Sequence, residues 1–281
     1  MRTGASSRPA QPSGRPRRLS GRLPELINAR VYHSPRVAGS YRDSTLTPME
    51  TTALLKYQPS FFDRDVLDIG VGTGRTSRYL APLARHYLGI DYSPVMLRHV
   101  AAAMPDVPVR QLDMSDLSGL AASSFDFVFA PNNVLDAVSH GLRLRALCEW
   151  QRVLRPGGTL MFSSHNRAYR RALRRPRLAL SRNPVTQARQ LLRFARCQVN
   201  YLRLAGERQQ ADEFALLTDS GHDYSCLHYY IERGTQRAQL RACGFACADT
   251  MNHLGRSIAA GVAADADVLD SPSLMYVARR P

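Results

Sequence analysis

Three glycines alternate in Asp68-Ile69-Gly70-Val71-Gly72-Thr73-Gly74, directly after a short apolar run that begins at Val66. Glycine takes positive φ and lets a ligand come closer than a Cβ would allow. The spacing therefore predicts a strand, a tight turn and a helix start, with the turn wrapped against a bound molecule. A dinucleotide loop places its third glycine three residues after the second, and here Arg75 holds that position. A second apolar run, Leu88-Gly89-Ile90, ends at Asp91, 17 residues beyond Gly74. A carboxylate there can accept two hydrogen bonds. Further on, Pro131-Asn132-Asn133-Val134-Leu135-Asp136 and Ser163-Ser164-His165-Asn166 each close an apolar run. Imidazole titrates near neutrality, so His165 is the first candidate to take a proton from a reacting group, with His140 and Asp136 as rivals.

Asp68, Gly70, Gly72 and Gly74 form Asp-x-Gly-x-Gly-x-Gly, which resembles the nucleotide loop of class I S-adenosylmethionine-dependent methyltransferases. The resemblance continues in order along the chain. Asp91 falls where such enzymes hold the ribose hydroxyls, with Tyr92 and Met96 beside it. Asp113-Met114 resembles the adenine-contacting pair, Ser124 to Phe129 the fourth strand, and Arg152 to Leu160 the turn into the fifth. Tyr41 falls where many members carry a lid tyrosine near the cofactor carboxylate, and Asn132 falls on the cofactor side of strand four. Asn133-Val134-Leu135-Asp136 and Ser163-Ser164-His165-Asn166 resemble a subgroup with Asn-x-x-Asp and Ser-x-His-Asn at these places, which implies that Asn133 and Asn166 face the acceptor. The resemblance covers residues 41 to 165 well. It implies S-adenosyl-L-methionine as cofactor and methyl transfer to oxygen or nitrogen of a small-molecule acceptor, the alternatives being an RNA methyltransferase or a non-catalytic S-adenosylmethionine-binding subunit.

The elements that must position these residues are short apolar runs alternating with helical patterns, the signature of a parallel sheet covered on both faces. Strands are expected near Val66–Ile69, Tyr87–Ile90, Val107–Gln111, Phe125–Ala130, Thr159–Ser163 and Leu274–Ala278, with another starting at Gly244. Thr47-Pro48-Met49-Glu50 predicts a capping box, with Leu54 and Leu55 facing inward. The expected fold is α/β: a doubly wound, Rossmann-like, seven-stranded methyltransferase sheet with an antiparallel C-terminal edge hairpin. The expected organisation is a disordered basic tail over residues 1–36 and a methyltransferase domain over 37–281, with a helical substrate-lid insertion at about 166–228. In that insertion Ala188, Leu191, Leu192, Ala195, Val199 and Leu202 recur at helical spacing beside Arg189, Arg193, Arg196 and Arg203. Arg189 and Arg193 are expected to meet the acceptor.

Length and composition suit one globular α/β domain with an insertion: 281 residues, 44% hydrophobic and 22% charged. The formal charge of +15 comes almost wholly from arginine, Lys56 being the single lysine. Such a field favours anionic partners. An anionic small-molecule acceptor is the preferred partner, RNA the first competitor, and a membrane surface the last. Five cysteines without a Cys-x-x-Cys pair fit a reduced, cytoplasmic location, and no apolar run is long enough to span a bilayer. His222, Cys226 and His228 raise a metal site, but no full ligand set is visible and none is expected.

Overall fold

The computed structural model describes residues 24–41, 44–170, 175–259 and 266–281. Residues 1–23 of the expected basic tail lie outside the described residues. From residue 24 onward the tail expectation is overturned, because α1 (Pro24–Tyr32) and α2 (Pro35–Tyr41) are helices. Ile27 of α1 packs against Leu204 and Leu227, a long-range apolar contact that local composition does not reveal.

The capping box forms as expected on α3 (Pro48–Lys56). Glu50 N–H donates to Thr47 Oγ1, and Thr47 N–H donates to Glu50 Oε2 at 2.8 Å. Leu54 is buried, but Leu55 is 75% exposed and not inward as expected, because adjacent helical positions diverge by about 100°. The sheet then begins with β1 (Asp65–Ile69), α4 (Ser77–Leu80), β2 (His86–Asp91), α5 (Pro94–Ala103), β3 (Val109–Gln111) and β4 (Phe125–Ala130). It continues through α6 (His140–Val153) into β5 (Leu154–Asn166). The insertion holds α7 (Pro184–Arg203), β6 (Gln209–Gln210), β7 (Phe214–Leu217) and β8 (His228–Ile231). The chain closes with α8 (Arg233–Ala242), β9 (Ala246–Met251), α9 (Ala266–Leu269) and β10 (Ser273–Arg279).

Strands run β3-β2-β1-β4-β5-β8-β7-β6, with β10 antiparallel to β5 and β9 antiparallel to β10. The doubly wound core and the terminal antiparallel hairpin are as expected. The described sheet has ten strands, not seven, because the insertion adds three. β5 is long enough for this: Thr159 to His165 pair with β10, and its last residues, His165 and Asn166, pair with β8. Alternate side chains fill two cores. Leu67, Val128, Leu160 and Phe162 pack with Trp150 and Leu240 on one face, while Val66, Phe127, Phe129 and Met161 pack with Met49 and Ala53 on the other. Burial on both faces is why these strands read as continuous apolar runs. Strand order reverses between β1 and β4, the point at which an open sheet leaves a crevice beyond its carboxyl ends.

Candidate active site

A cavity of about 650 Å³ opens at that reversal. Its first wall is the glycine turn. Gly70, Gly72 and Gly74 have φ of +71°, +56° and +87°, but they do different work. A Cβ on Gly70 would meet Val134 at 2.5 Å, and one on Gly74 would meet Met104 at 2.3 Å, so these two serve packing inside the protein. A Cβ on Gly72 would meet nothing within 4 Å, so its open face belongs to the cavity. Gly72 N–H donates to Asp91 Oδ2 at 2.9 Å, and Ser93 N–H donates to Asp91 Oδ1 at 2.8 Å. Burial pushes the Asp91 carboxyl above its ordinary range, and these two amides oppose that shift. Each oxygen keeps a lone pair for a ligand hydroxyl. Tyr41, Tyr92, Met96, Asp113, Met114 and Asn132 line the same cavity. Asp113 is partly committed, because its Oδ1 accepts from Ser115 N–H and Oγ.

Asp68 and Gly74 do not line the cavity, which corrects their expected cofactor contact. Asp68 is fully buried behind the turn, where its Oδ2 accepts from Thr76 Oγ1 at 2.6 Å and Tyr87 OH at 2.7 Å. Burial raises its pKa to about 7 against those two hydrogen bonds. Arg75, the residue that displaced the dinucleotide glycine, donates to Glu50 Oε1 at 2.7 Å and thereby ties the capping box of α3 to the turn.

The second wall is built from residues distant in sequence. His165, at the end of β5, places Nδ1 2.7 Å from Asp136 Oδ2, and its backbone N–H donates to the same oxygen at 2.6 Å. Burial alone would raise the Asp136 pKa. The charge of Arg143 and the contacts from His165 outweigh burial and hold it below its ordinary value. Arg143 pairs with Asp136, donates to Gln236, and lies over the Tyr229 ring. His165 Nδ1 is buried and makes no aligned hydrogen bond despite its approach to Asp136, and Nε2 lies 3.2 Å from Asn133 Nδ2. Asn133 Oδ1 is buried without a hydrogen-bond partner, and both Asn132 and Asn133 hold left-handed backbone (φ +53° and +57°). Such strain away from glycine concentrates at ligand sites.

Facing His165 is a second carboxylate–imidazole pair. Asp219 Oδ2 lies 2.8 Å from His228 Nδ1 and accepts from Tyr230 OH at 2.6 Å. Burial by itself lowers the His228 pKa, but the Asp219 charge more than offsets it and raises the value to about 10. The His165 and His228 rings stack with centroids 5.1 Å apart. One atom from each of His165, Asp219 and His228 lies within 4.8 Å of the others. The His228–Asp219 contact makes this cluster a buried ion pair. Burial and the His228 charge lower the pKa of His222, whose Nε2 lies 3.0 Å from Tyr41 OH.

Five other expected site residues stand elsewhere. Asp136 is fully buried and reaches the cavity only through His165. His140 stacks on Phe214 and bonds Tyr229 OH at 2.7 Å, outside the cavity. Asn166 is buried and donates to Val268 O and Ser271 O, so it fixes the end of β5. Arg189 and Arg193 are exposed on α7, and Arg193 pairs with Asp223 at 2.8 Å. Tyr32, Asp219 and Tyr230 line the cavity and were missed. The His222/His228 spacing was the only local signal for that wall.

Residues 66–158 match the family model described as a methyltransferase domain. A "probable S-adenosylmethionine-dependent methyltransferase" of Mycolicibacterium smegmatis is 34% identical over 105 residues, 37% of this chain and 39% of that protein. The match thus spans about two fifths of that relative's length. Among solved structures, the CcbJ methyltransferase of Streptomyces caelestis aligns with a TM-score of 0.59 at 19% identity, covering 89% of this chain and 98% of that one. The Burkholderia thailandensis 1,6-didemethyltoxoflavin-N1-methyltransferase, solved with its substrate and S-adenosylhomocysteine, aligns at 0.54 and 15% identity, covering 91% and 86%. At these identities the two structures share the fold.

Proposed function

We infer, from a chain whose residues 66–158 belong to the methyltransferase-domain family of S-adenosylmethionine-dependent enzymes, that the whole protein methylates oxygen or nitrogen of a small molecule. One observation carries the reading: the donor wall of Gly72 and Asp91 and the imidazole of His165 border one cavity of about 650 Å³. The residues suit the donor. The open face of Gly72 admits its backbone-hugging portion, and Asp91 has free lone pairs for two ribose hydroxyls. The relative from Burkholderia acts on a small heterocycle by its name, and that is a precedent for size only.

When bound, the sulfonium supplies an activated methyl carbon, and displacement forms the acceptor–carbon bond as the carbon–sulfur bond breaks to leave a neutral thioether. The protein's part is alignment in a water-poor cavity, worth several kcal/mol. His165 Nε2 takes the acceptor proton, and Asp136 stabilises the imidazolium that results. The Asp219 carboxylate offsets the charge of the neighbouring His228 and so allows a second positive charge to form on His165.

Incubating the protein with methyl-labelled donor and fractionated small-molecule extract tests the reading. Label transferred to a small molecule by wild type, and lost with His165→Gln, supports it. Label found only in macromolecules overturns it.

A further inference from the structure

The 20-residue helix α7 meets the rest of the protein through the side that carries Phe194, Cys197 and Tyr201, with Cys197 its single buried residue. Its opposite side is apolar and faces solvent. Val185, Leu192, Val199 and Leu202 are 61%, 73%, 63% and 68% exposed, and exposed Ala188, Leu191 and Ala195 fill the gaps between them. These positions recur every three or four residues, so they form one stripe along the helix. This overturns the expectation of a lid helix with its basic side turned to the acceptor. A soluble surface rarely displays a contiguous apolar stripe without using it.

Charge decides what covers the stripe. Arg189, Arg196 and Arg203 follow Val185, Leu192 and Val199 at a constant offset of four residues, so they border one edge of it. The segment before the helix adds exposed Arg175, Arg177 and Arg182, together with exposed Leu178 and Leu180. No acidic residue occurs between Glu149 and Glu207. Asp223 neutralises part of the charge of Arg193 and Arg196 and leaves the rest of this basic rim as it is. Two copies pairing antiparallel through α7 would set these arginine rows against each other with no acid on the helix to separate them. A bilayer with anionic headgroups fits both features, taking the aliphatic side chains at the acyl boundary and pairing the arginines with lipid phosphates.

We propose that the protein docks on anionic membrane surfaces through the solvent-facing stripe of α7 and its arginine rim. This goes beyond the methyltransferase reading and does not depend on it. Through Arg193 and Arg196, the docked helix is tied to Asp223, next to His222 in the cavity wall.

The test is co-sedimentation of the full chain with phosphatidylcholine vesicles and with vesicles in which about a third of the lipid is phosphatidylglycerol. Wild type should bind the anionic vesicles and leave the neutral ones, with binding weakened by salt. Changing Val185, Leu192, Val199 and Leu202 together to Ser should abolish it, and Arg189→Gln with Arg203→Gln should weaken partitioning on the order of tenfold. Both variants should keep wild-type affinity for S-adenosylhomocysteine, a readout that reports folding of the core. Equal wild-type binding to both vesicle types, or undiminished binding of the serine variant, overturns the proposal. So does dimerisation in sedimentation velocity that the serine variant abolishes, since a second copy would then cover the stripe. Loss of S-adenosylhomocysteine binding in wild type would defeat the methyltransferase reading and leave the vesicle result standing.

Discussion

The two walls of the cavity are made by different means. The donor wall is local: Gly72, Asp91, Tyr92, Met96 and Asp113 fall within one run of about forty residues, and it is shaped by backbone, through glycine φ values and two amides on Asp91. The acceptor wall gathers Tyr32, Asn133, His165, Asp219 and His228 from across nearly two hundred residues, and it is held by side-chain charge, with one carboxylate behind each imidazole. A backbone-shaped site suits a ligand that never changes. A site of side chains on separate elements can be altered one residue at a time, and on the proposed function acceptor choice would lie there.

The largest expected break in this contrast is His165→Gln. It should lower kcat by roughly 10²–10⁴ and leave S-adenosylhomocysteine affinity unchanged in calorimetry, because proton removal belongs to the acceptor wall alone. Equal losses in both readouts would mean the walls are not separable. Asp91→Ala is the mirror experiment. Losing two charge-assisted hydrogen bonds, each worth about 1.5–3 kcal/mol, should weaken donor affinity by roughly 10²–10⁴, with the acceptor wall intact.

Two further effects, on stability and not on turnover or affinity, sharpen the contrast through pH. His228 is raised to about 10 and its partner Asp219 lies below the usual carboxylate range. Their stabilisation is therefore complete at pH values above the unfolded carboxylate and below the unfolded imidazole value near 6.5, and it fades as pH rises toward 10. Asp219→Asn should cost about 3–5 kcal/mol at pH 6 and distinctly less near pH 10, read from denaturant melts. A pH-independent cost would reject the ion pair. Asp68 is shifted upward where the Asp219 carboxyl is shifted downward. Its raised value of about 7 means the folded state binds the extra proton, so stability falls as pH climbs from about 4 to 7. Asp68→Asn keeps an acceptor for Thr76 and Tyr87 and should flatten that slope, seen as a Tm gain at pH 7.5 that is absent at pH 4.

Legibility in the sequence follows the same division. The glycine turn, Asp91 and the Thr47 capping box could be read because each depends on spacing within a few residues. Even there, pattern alone could not tell Gly72, open to the cavity, from Gly70 and Gly74, which pack against Val134 and Met104. His165 was legible as the residue closing the fifth strand. Asp136 was legible as an acid but not as its partner, since their contact depends on the register of β5 beside the turn after β4. Asp219 and Tyr230 could not be read at all, because a three-stranded extension of the sheet brings them to His228. The apolar period of α7 was plain, but which side meets solvent is decided by what the rest of the protein offers to pack against.

Asn28, the most buried side chain of α1, donates through Nδ2 to Ala137 O at 2.8 Å and Leu227 O at 2.7 Å, and accepts from Leu227 N–H at 2.9 Å. α1 supplies Leu26, Ala29 and Tyr32 to the cavity wall, so raising it exchanges three hydrogen bonds with water in a single event. At about 1 kcal/mol net for each, these three bonds make a form with α1 displaced a minor species, on the order of one molecule in a hundred. Asn28, which lines no part of the cavity, thus fixes the position of the helix that supplies this wall.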